Sequence, residues 1–370
     1  MPLRLYCGPI LPPGDGQISA NALDVIASAA PALTESEAQQ LLAERYDVSA
    51  ELAPLVSERD QNFDVRSGDG RRFVLKIANS AEDRQVTEFQ ILALLHIERE
   101  SHRFADPLPA PRIVHTVNGE PGFVLQHDGE ENMVRLVSWV EGDIQHAHPL
   151  TPALSRDLGR RLAELGQMLA GYRHPGESQP LMWDMKRALE LRPLLKYVSD
   201  ATVHRQIEDT LNDFEQIVVP RLGALRWQVA HCDFHPGNIV LDSDNPERVA
   251  GVIDFGDMLY SPLIFDVSVG ASYLRTDDED PLALVIDFVG AYHEVEPLTS
   301  EELELVYHLI RARLAASVCI PRWRAGLGRE DDAYGEEAMD DLQNVESFLA
   351  LLDQMSPDEM ASRLRERCGR

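Results

Sequence analysis

The chain is poor in cysteine, in aromatic residues and in positive charge. Its four cysteines, Cys7, Cys232, Cys319 and Cys368, lie far apart and form no CxxC pair. That spacing argues against a disulfide framework and a structural zinc site, and predicts reduced thiols in a cytoplasmic protein. Lys and Arg total 34 against 62 Asp and Glu, a formal net charge of −28 at pH 7. Such a deficit excludes a general nucleic-acid binder, because phosphate backbones need a basic surface. It also disfavours docking on anionic membranes. No uncharged apolar run is long enough to span a bilayer. Pro9, Pro12 and Pro13 interrupt the short apolar start, which does not read as a secretory signal.

What is present is an ordinary globular composition, 44% hydrophobic and 26% charged over 370 residues, enough for two lobes with a sizeable core. Residues 1–33 read as an appendage. Thr34 and Glu37 then form a capping-box pattern ahead of a helix. Short strands follow at 52–56, 62–66 and 71–77, the last two joined by the turn Ser67-Gly68-Asp69-Gly70. A helix carries Val86, Phe89, Ile91, Leu92 and Leu95. Strands return at 112–117, 123–125 and 133–140. Beyond the connector 142–149 the chain turns helical, with Thr151-Pro152 as a helix start and Leu154, Leu158, Leu162, Leu165 and Leu169 on one face. Further helices are expected near 185–222, 281–295, 300–318 and 336–353. The order predicts an α+β chain of two lobes: a small antiparallel-sheet lobe over 34–142 and a helical lobe over 143–370.

The densest polar motif falls inside the helical lobe. His231-Cys-Asp233-Phe-His235-Pro-Gly-Asn238 is followed by Ile253-Asp254-Phe255-Gly256-Asp257. His-x-Asp-x-x-x-x-Asn and then Asp-Phe-Gly, in that order and closely spaced, match the catalytic-loop and metal-loop logic of protein kinases. Phosphoryl transfer needs a carboxylate to orient a hydroxyl and accept its proton, the role expected of Asp233. It also needs hard oxygen ligands for Mg2+, expected of Asn238 and Asp254. Strands 239–241 and 249–253 would form a hairpin fixing both loops, with His231 as scaffold bonded to the backbone around Asp254.

The same logic calls for a lysine on the third strand. Lys76, in Phe73-Val74-Leu75-Lys76-Ile77, is the candidate for the nucleotide phosphates, with Glu88 on the next helix as its ion-pair partner. No GxGxxG loop lies between the first two strands. The turn there is Ser57-Glu58-Arg59-Asp60-Gln61-Asn62, whose backbone amides, assisted by Ser57 and Asn62, would cover phosphates. Ser138-Trp139-Val140-Glu141-Gly142 falls at the interlobe hinge, where backbone groups would bond the purine of ATP or GTP alike.

These residues make the chain similar to the aminoglycoside phosphotransferase/choline kinase family. His231-Cys-Asp233-Phe-His-Pro-Gly-Asn238 resembles its His-Gly-Asp-Leu-His-Pro-Gly-Asn signature, departing at Cys232, where Gly is commoner. The resemblance spans roughly residues 34–350 and implies a protein-kinase-like bilobal fold. It also places Asp266 where the family has an aspartate that braces the catalytic loop. Asp60-Gln61-Asn62-Phe63, Lys76 in its strand, and Met182-Trp183-Asp184 most resemble the hydroxylysine kinase-like group. That implies an amine-bearing acceptor such as hydroxylysine, with ATP or GTP as donor. Aminoglycoside, choline and homoserine kinases share the fold.

Trp183, Asp184 and Asp257 are the candidates to hold a cationic amine. Trp323 and Tyr334 read as packing residues, and Asp277-Asp278-Glu279-Asp280 as a solvated loop. Two other classes fit parts of the pattern. One is a metal-dependent hydrolase with His231, Asp233, His235 and Asp254 as ligands. The other is a non-catalytic nucleotide-binding protein of the same fold. Oligomeric state is not legible.

Overall fold

The computed structural model describes residue 28 and residues 30–57, 59–276, 279–326 and 339–370. Nearly all of the expected 1–33 appendage lies outside that range, as do Tyr334, Asp277 and Asp278. The chain begins its regular structure with α1 (Glu35–Tyr46), where Thr34 and Glu37 form the reciprocal capping box. Strands β1 (Ala50–Leu55), β2 (Gln61–Ser67) and β3 (Arg72–Ile77) follow, then helix α2 (Arg84–Ser101). Next come β4 (Ile113–Val114), β5 (Phe123–His127) and β6 (Glu130–Ser138). The sheet runs β1-β2-β3-β6-β4, and β5 forms a hairpin on β6 behind β4. Every pairing is antiparallel.

Strand alternation decides what faces the cleft. Phe73, Leu75 and Ile77 point to one side of β3 and join Leu41, Leu42, Tyr46, Phe63 and Val65 in a core under α1. Lys76 therefore points to the other side. Its register partners Asn62 on β2 and Arg135 on β6 share that face. Helix α2 packs differently from its expected stripe. Phe89, Ile91, Ala93, Leu94 and Ile97 belong to the helical lobe's core, while Leu92 is exposed. Phe89 stacks on Tyr172, whose hydroxyl donates to the Phe89 carbonyl at 2.8 Å. The helix thus ties the small lobe to the large one.

The connector expected at 142–149 contains β7 (Asp143–Ile144), which adds a third strand to the hairpin β9 (Ile239–Asp242) and β10 (Asn245–Val252). Gly142 has φ +136, and a Cβ there would stand 2.2 Å from the Leu241 carbonyl oxygen, so only glycine permits this close crossing. The helical lobe holds α3 (Pro152–Leu169), 3-10 turns over Met185–Tyr197, α4 (Ala201–Asp213), α5 (Leu263–Ala271), α6 (Ala283–Val295) and α7 (Ser300–Ala325). Two further helices, α8 (Leu342–Leu352) and α9 (Pro357–Arg367), close it. The stripe of Leu154, Leu158, Leu162, Leu165 and Leu169 is fully in the core. Gly159 lets α3 lie against α6, since a Cβ would meet the Phe288 carbonyl oxygen at 2.1 Å. Strands β8 (Trp227–Ala230) and β11 (Leu259–Pro262) pair antiparallel and bracket the two polar loops. Among the described residues no helix is long and apolar enough to cross a membrane.

Candidate active site

The His231–Asn238 loop leaves β8, turns through 3-10 residues Pro236–Asn238 and enters β9. The hairpin returns the chain to Ile253 and Asp254. Ile253 N–H donates to the Asn238 carbonyl at 2.9 Å. His231, wholly buried, donates from Nε2 to the Ile253 carbonyl at 3.2 Å and accepts the Asp233 N–H on Nδ1 at 3.3 Å. It therefore bolts one loop to the other. Cys232 and Asp254 both take the left-handed backbone, at φ +62 and +54. That region is unfavourable for an L side chain, which explains why glycine is the commoner residue at position 232 in the resembling family. Asp266, buried on α5, accepts the Cys232 N–H at 2.8 Å and holds the strained turn. Burial raises the Asp266 carboxyl above the usual carboxylate range.

Asp233 is surrounded by donors. Asn238 Nδ2 donates to its Oδ2 at 2.8 Å and to its carbonyl at 3.1 Å. His235 Nε2 lies 3.4 Å from the same Oδ2, while His235 Nδ1 accepts the Gly237 N–H at 3.0 Å. Arg313 Nη2, from α7, lies 3.4 Å from Oδ1. Burial opposes ionisation of Asp233, but His235, Arg313 and His231 outweigh it and hold the carboxyl well below its ordinary value. Burial likewise opposes protonation of His235, and the Asp233 carboxylate reverses it, raising the imidazole.

Facing these loops is a cleft of about 360 Å3 between the lobes. Val74, Lys76, Trp139, Val140, Asn238 and Asp254 are among its walls, so the expected hinge meets Lys76, Asn238 and Asp254 at one cavity. Lys76 Nζ lies 3.4 Å from Asp254 Oδ1. Lys76 is also the main reason the Asp254 carboxyl is lowered, against its burial. Asn62 lines the same cleft, and its buried Oδ1 has no hydrogen-bond partner among the described residues.

Five expectations are corrected. Glu88 does not pair with Lys76. It lies on the outer side of α2, 2.8 Å from Arg84 one turn away, and Gln90 faces the cleft instead. Ser57 does not wall the cleft; its hydroxyl accepts the Asp60 N–H at 3.3 Å within the turn. Asp257 is held by Arg59, whose Nη2 lies 3.0 Å from its Oδ1 and 3.3 Å from the Gly256 carbonyl. The face of Trp183 is covered by the protein's own cation, the Arg313 guanidinium at 4.6 Å. Asp184 caps the 3-10 segment and pairs with Lys186 at 3.2 Å. Trp323 packs against the core. Arg313 itself escaped sequence reading. It stands 80 residues beyond Asp233, in a helix whose pattern signals only packing.

The donors present suit Mg2+. Asn238, which walls the cleft, uses its amide nitrogen on Asp233 and keeps its side-chain carbonyl oxygen for a ligand; Asp254 places Oδ1 on Lys76 and the Gly256 N–H, leaving Oδ2. Two hard oxygens on residues that wall the interlobe cleft suit a cation that takes few protein ligands. The hydrolase site is not formed. Both nitrogens of His231 are engaged by the backbone. No group of three or more His, Cys, Asp or Glu side chains is arranged for a metal among the described residues.

The phosphotransferase enzyme family model matches residues 51–303. A hydroxylysine kinase from Xenopus laevis is 27% identical over 328 residues, covering 82% of this chain and 86% of its own. Among solved structures, a microcompartment-associated aminopropanol kinase superposes with TM-score 0.66 at 18% identity, covering 89% of this chain and 98% of that one. An amicoumacin kinase in complex with AMP-PNP and Ca2+ superposes with TM-score 0.64 at 14% identity, covering 88% and 95%. At these identities the structural likeness speaks for the fold.

Proposed function

Because the chain belongs to the phosphotransferase enzyme family and has its protein-kinase-like fold, we propose that it is a small-molecule kinase whose acceptor is hydroxylysine or a close amine-bearing relative. The donor is ATP or GTP. The observation that carries the reading is the convergence of Lys76, Asn238 and Asp254 on one interlobe cleft, with Asp233 bonded directly to Asn238 behind its wall.

In this reading residues 34–142 hold the nucleotide and 143–370 hold the acceptor. The backbone of Ser138–Gly142 bonds the purine, and Trp139 and Val140 cover it. Lys76 and Asn62 meet the phosphates, and Lys76 turns from Asp254 to do so. Asn238 and Asp254 hold Mg2+, which when bound neutralises phosphate charge. Asp233 is the group that meets the acceptor hydroxyl. Held strongly acidic by His235 and Arg313, it is a carboxylate that aligns the O–H bond rather than one that keeps the proton early in the reaction. Arg313 and His235 occupy its oxygens in the free enzyme, so the entering hydroxyl displaces one of them. Asp266 and His231 hold the loop that aims it.

The free thiols of Cys232, Cys319 and Cys368 support a cytoplasmic setting. The charge of −28 supports a small-molecule acceptor over nucleic acid or membrane. The test is a phosphorylation screen of hydroxylysine, homoserine, choline and aminoglycosides with ATP and with GTP, beside Asp233→Asn. The variant should lose at least ~1000-fold in kcat, the scale of a positioned acid–base group plus alignment, while nucleotide still binds. Unchanged turnover in Asp233→Asn refutes the assignment. Nucleotide binding without turnover on any acceptor supports the non-catalytic alternative.

A further inference from the structure

A second cavity, also about 360 Å3, opens in the helical lobe and is walled by Tyr273, Arg275, Asp341, Asn344 and Phe348 among others. Arg275 Nη2 pairs with Asp341 Oδ2 at 2.7 Å. Its other terminal nitrogen, Nη1, is buried with no hydrogen-bond partner among the described residues. Tyr273 connects this cavity to the catalytic loop. Its hydroxyl lies 3.1 Å from Arg313 Nη2, the same nitrogen that stands 3.4 Å from Asp233 Oδ1. Its ring lies 5.7 Å from the His235 ring. A chain of two contacts, Tyr273 to Arg313 and Arg313 to Asp233, runs from the cavity wall to the catalytic loop.

The charge pattern of the cavity is specific. A guanidinium takes a carboxylate through parallel N–H bonds. A ligand carboxylate would give Arg275 Nη1 the acceptor it lacks, and Asp341 would receive a neighbouring ammonium. A ligand with an amine alone would leave the buried donor unsatisfied, which is costly. In a molecule of net charge −28, a cavity walled by Arg275, with Arg313 behind its Tyr273 wall, favours an anionic group there.

We propose that this cavity seats the zwitterionic head of the acceptor, its carboxylate on Arg275 and its ammonium on Asp341, and passes the hydroxyl along Tyr273 to Asp233. The inference rests on the kinase reading and deepens it: the acceptor is a hydroxylated amino acid and not an amino alcohol. That distinction separates the hydroxylysine kinase relative from the aminopropanol kinase neighbour.

The experiment compares kcat/KM for hydroxylysine with that for the hydroxylated diamine left by its decarboxylation, using the full chain. Wild type should favour hydroxylysine, and Arg275→Met should lower the ratio of the two ~10- to 100-fold, the worth of one or two charge-assisted bonds, chiefly through the KM for hydroxylysine. Arg275→Lys, which keeps the charge without the planar fork, should recover part of the ratio. A ratio unchanged by Arg275→Met overturns the proposal, and so does a wild type that prefers the diamine; either leaves the kinase reading standing. If wild type phosphorylates neither compound, the hydroxylysine reading fails by itself. Calorimetry with L-lysine then decides the cavity. Binding that Arg275→Met abolishes supports it, and absence of binding to wild type overturns it.

Discussion

Replacing Asp266 by Ala should damage catalysis and stability together, and replacing Cys232 by Gly should repair part of both. The reason is the left-handed turn at Cys232, φ +62, held by the 2.8 Å bond from its N–H to Asp266 Oδ1. Asp266 is 5% exposed, so no bulk water stands ready to replace it. Leaving that N–H unpartnered costs ~1–3 kcal/mol, with the lost packing of the carboxylate added to it. A total near 3 kcal/mol is expected. With an unfolding entropy of ~2.1 cal/mol/K per residue over 370 residues, each kcal/mol moves Tm by about 1.3 °C, so the melt should fall by about 4 °C. Without its brace the turn relaxes away from the left-handed region and carries Asp233, the next residue, with it. A displacement of about 1 Å at the reacting group costs ~100-fold in kcat. Glycine adopts the left-handed backbone without the ~1–2 kcal/mol borne by an L side chain. The double variant should therefore regain about 1–3 °C and at least ~10-fold in kcat over Asp266→Ala. Thermal melts and steady-state kinetics on the four proteins of the cycle are the assay. A melt and a kcat both unmoved by Asp266→Ala would refute the bracing argument. A fall in kcat that Cys232→Gly does not relieve would show that strain at residue 232 is not what Asp266 restrains.

Two further outcomes follow from the ion pairs. Glu88→Ala should change kcat/KM by less than ~2-fold, because its bond to Arg84 is an exposed surface pair, whereas Lys76→Met should raise the nucleotide KM and lower kcat at least ~10-fold; equal effects of the two would restore Glu88 as the partner of Lys76. Asp64, buried on β2, is bonded by Arg72 at 2.8 Å through both oxygens, and Arg72 first and Arg66 next, outweighing burial, hold its carboxyl low. A depressed folded-state pKa means a contribution fully present above the unfolded value of ~3.9 and lost as pH falls through the lower folded value. Melts from pH 7 down to about 3 should therefore show Asp64→Asn destabilised at neutral pH and less acid-sensitive than wild type below about 4; parallel curves would refute it.

How much of this site could be read in one dimension depended on whether its parts are close in sequence. Asp233, Asn238 and Asp254 lie on two loops joined by one short hairpin, so their spacing already encodes their meeting. Lys76 was legible because β3 alternates and a single charge stands in it. Glu88 was misplaced because α2 is buried on more than one side. Its apolar residues do not form one stripe, the phase of the helix is ambiguous, and a two-residue error turns a side chain to the opposite face. The strand β7 was hidden in a connector only two residues long in its pairing. Arg313 and Arg275 were invisible for a different reason. Each lies in or beside a helix that is otherwise plainly core, and only the packing of α5, α7 and α8 brings them toward Tyr273 and Asp233.

The missing glycine-rich loop has the same kind of explanation. A glycine-rich loop covers phosphates by being free to close over them. The turn after β1 is instead tied from several sides. Asp60 Oδ1 accepts the Asn79 N–H at 3.2 Å, Asn79 Nδ2 donates to the Arg59 carbonyl at 3.1 Å, and Arg59 crosses to Asp257 and Gly256 of the metal loop. Glu82, buried and raised above the ordinary carboxylate range by that burial and by Asp60, stands 3.6 Å from the Arg59 guanidinium. Glycine's freedom has been replaced by preorganisation, which reduces the ordering cost when a ligand arrives. The same bridge links the small lobe to the residue after Asp-Phe-Gly, so the turn proposed to cover the phosphates and the loop proposed to hold their cation are positioned as one unit. Asp257, read from sequence as a contact for the acceptor, is better understood as the helical lobe's end of that bridge.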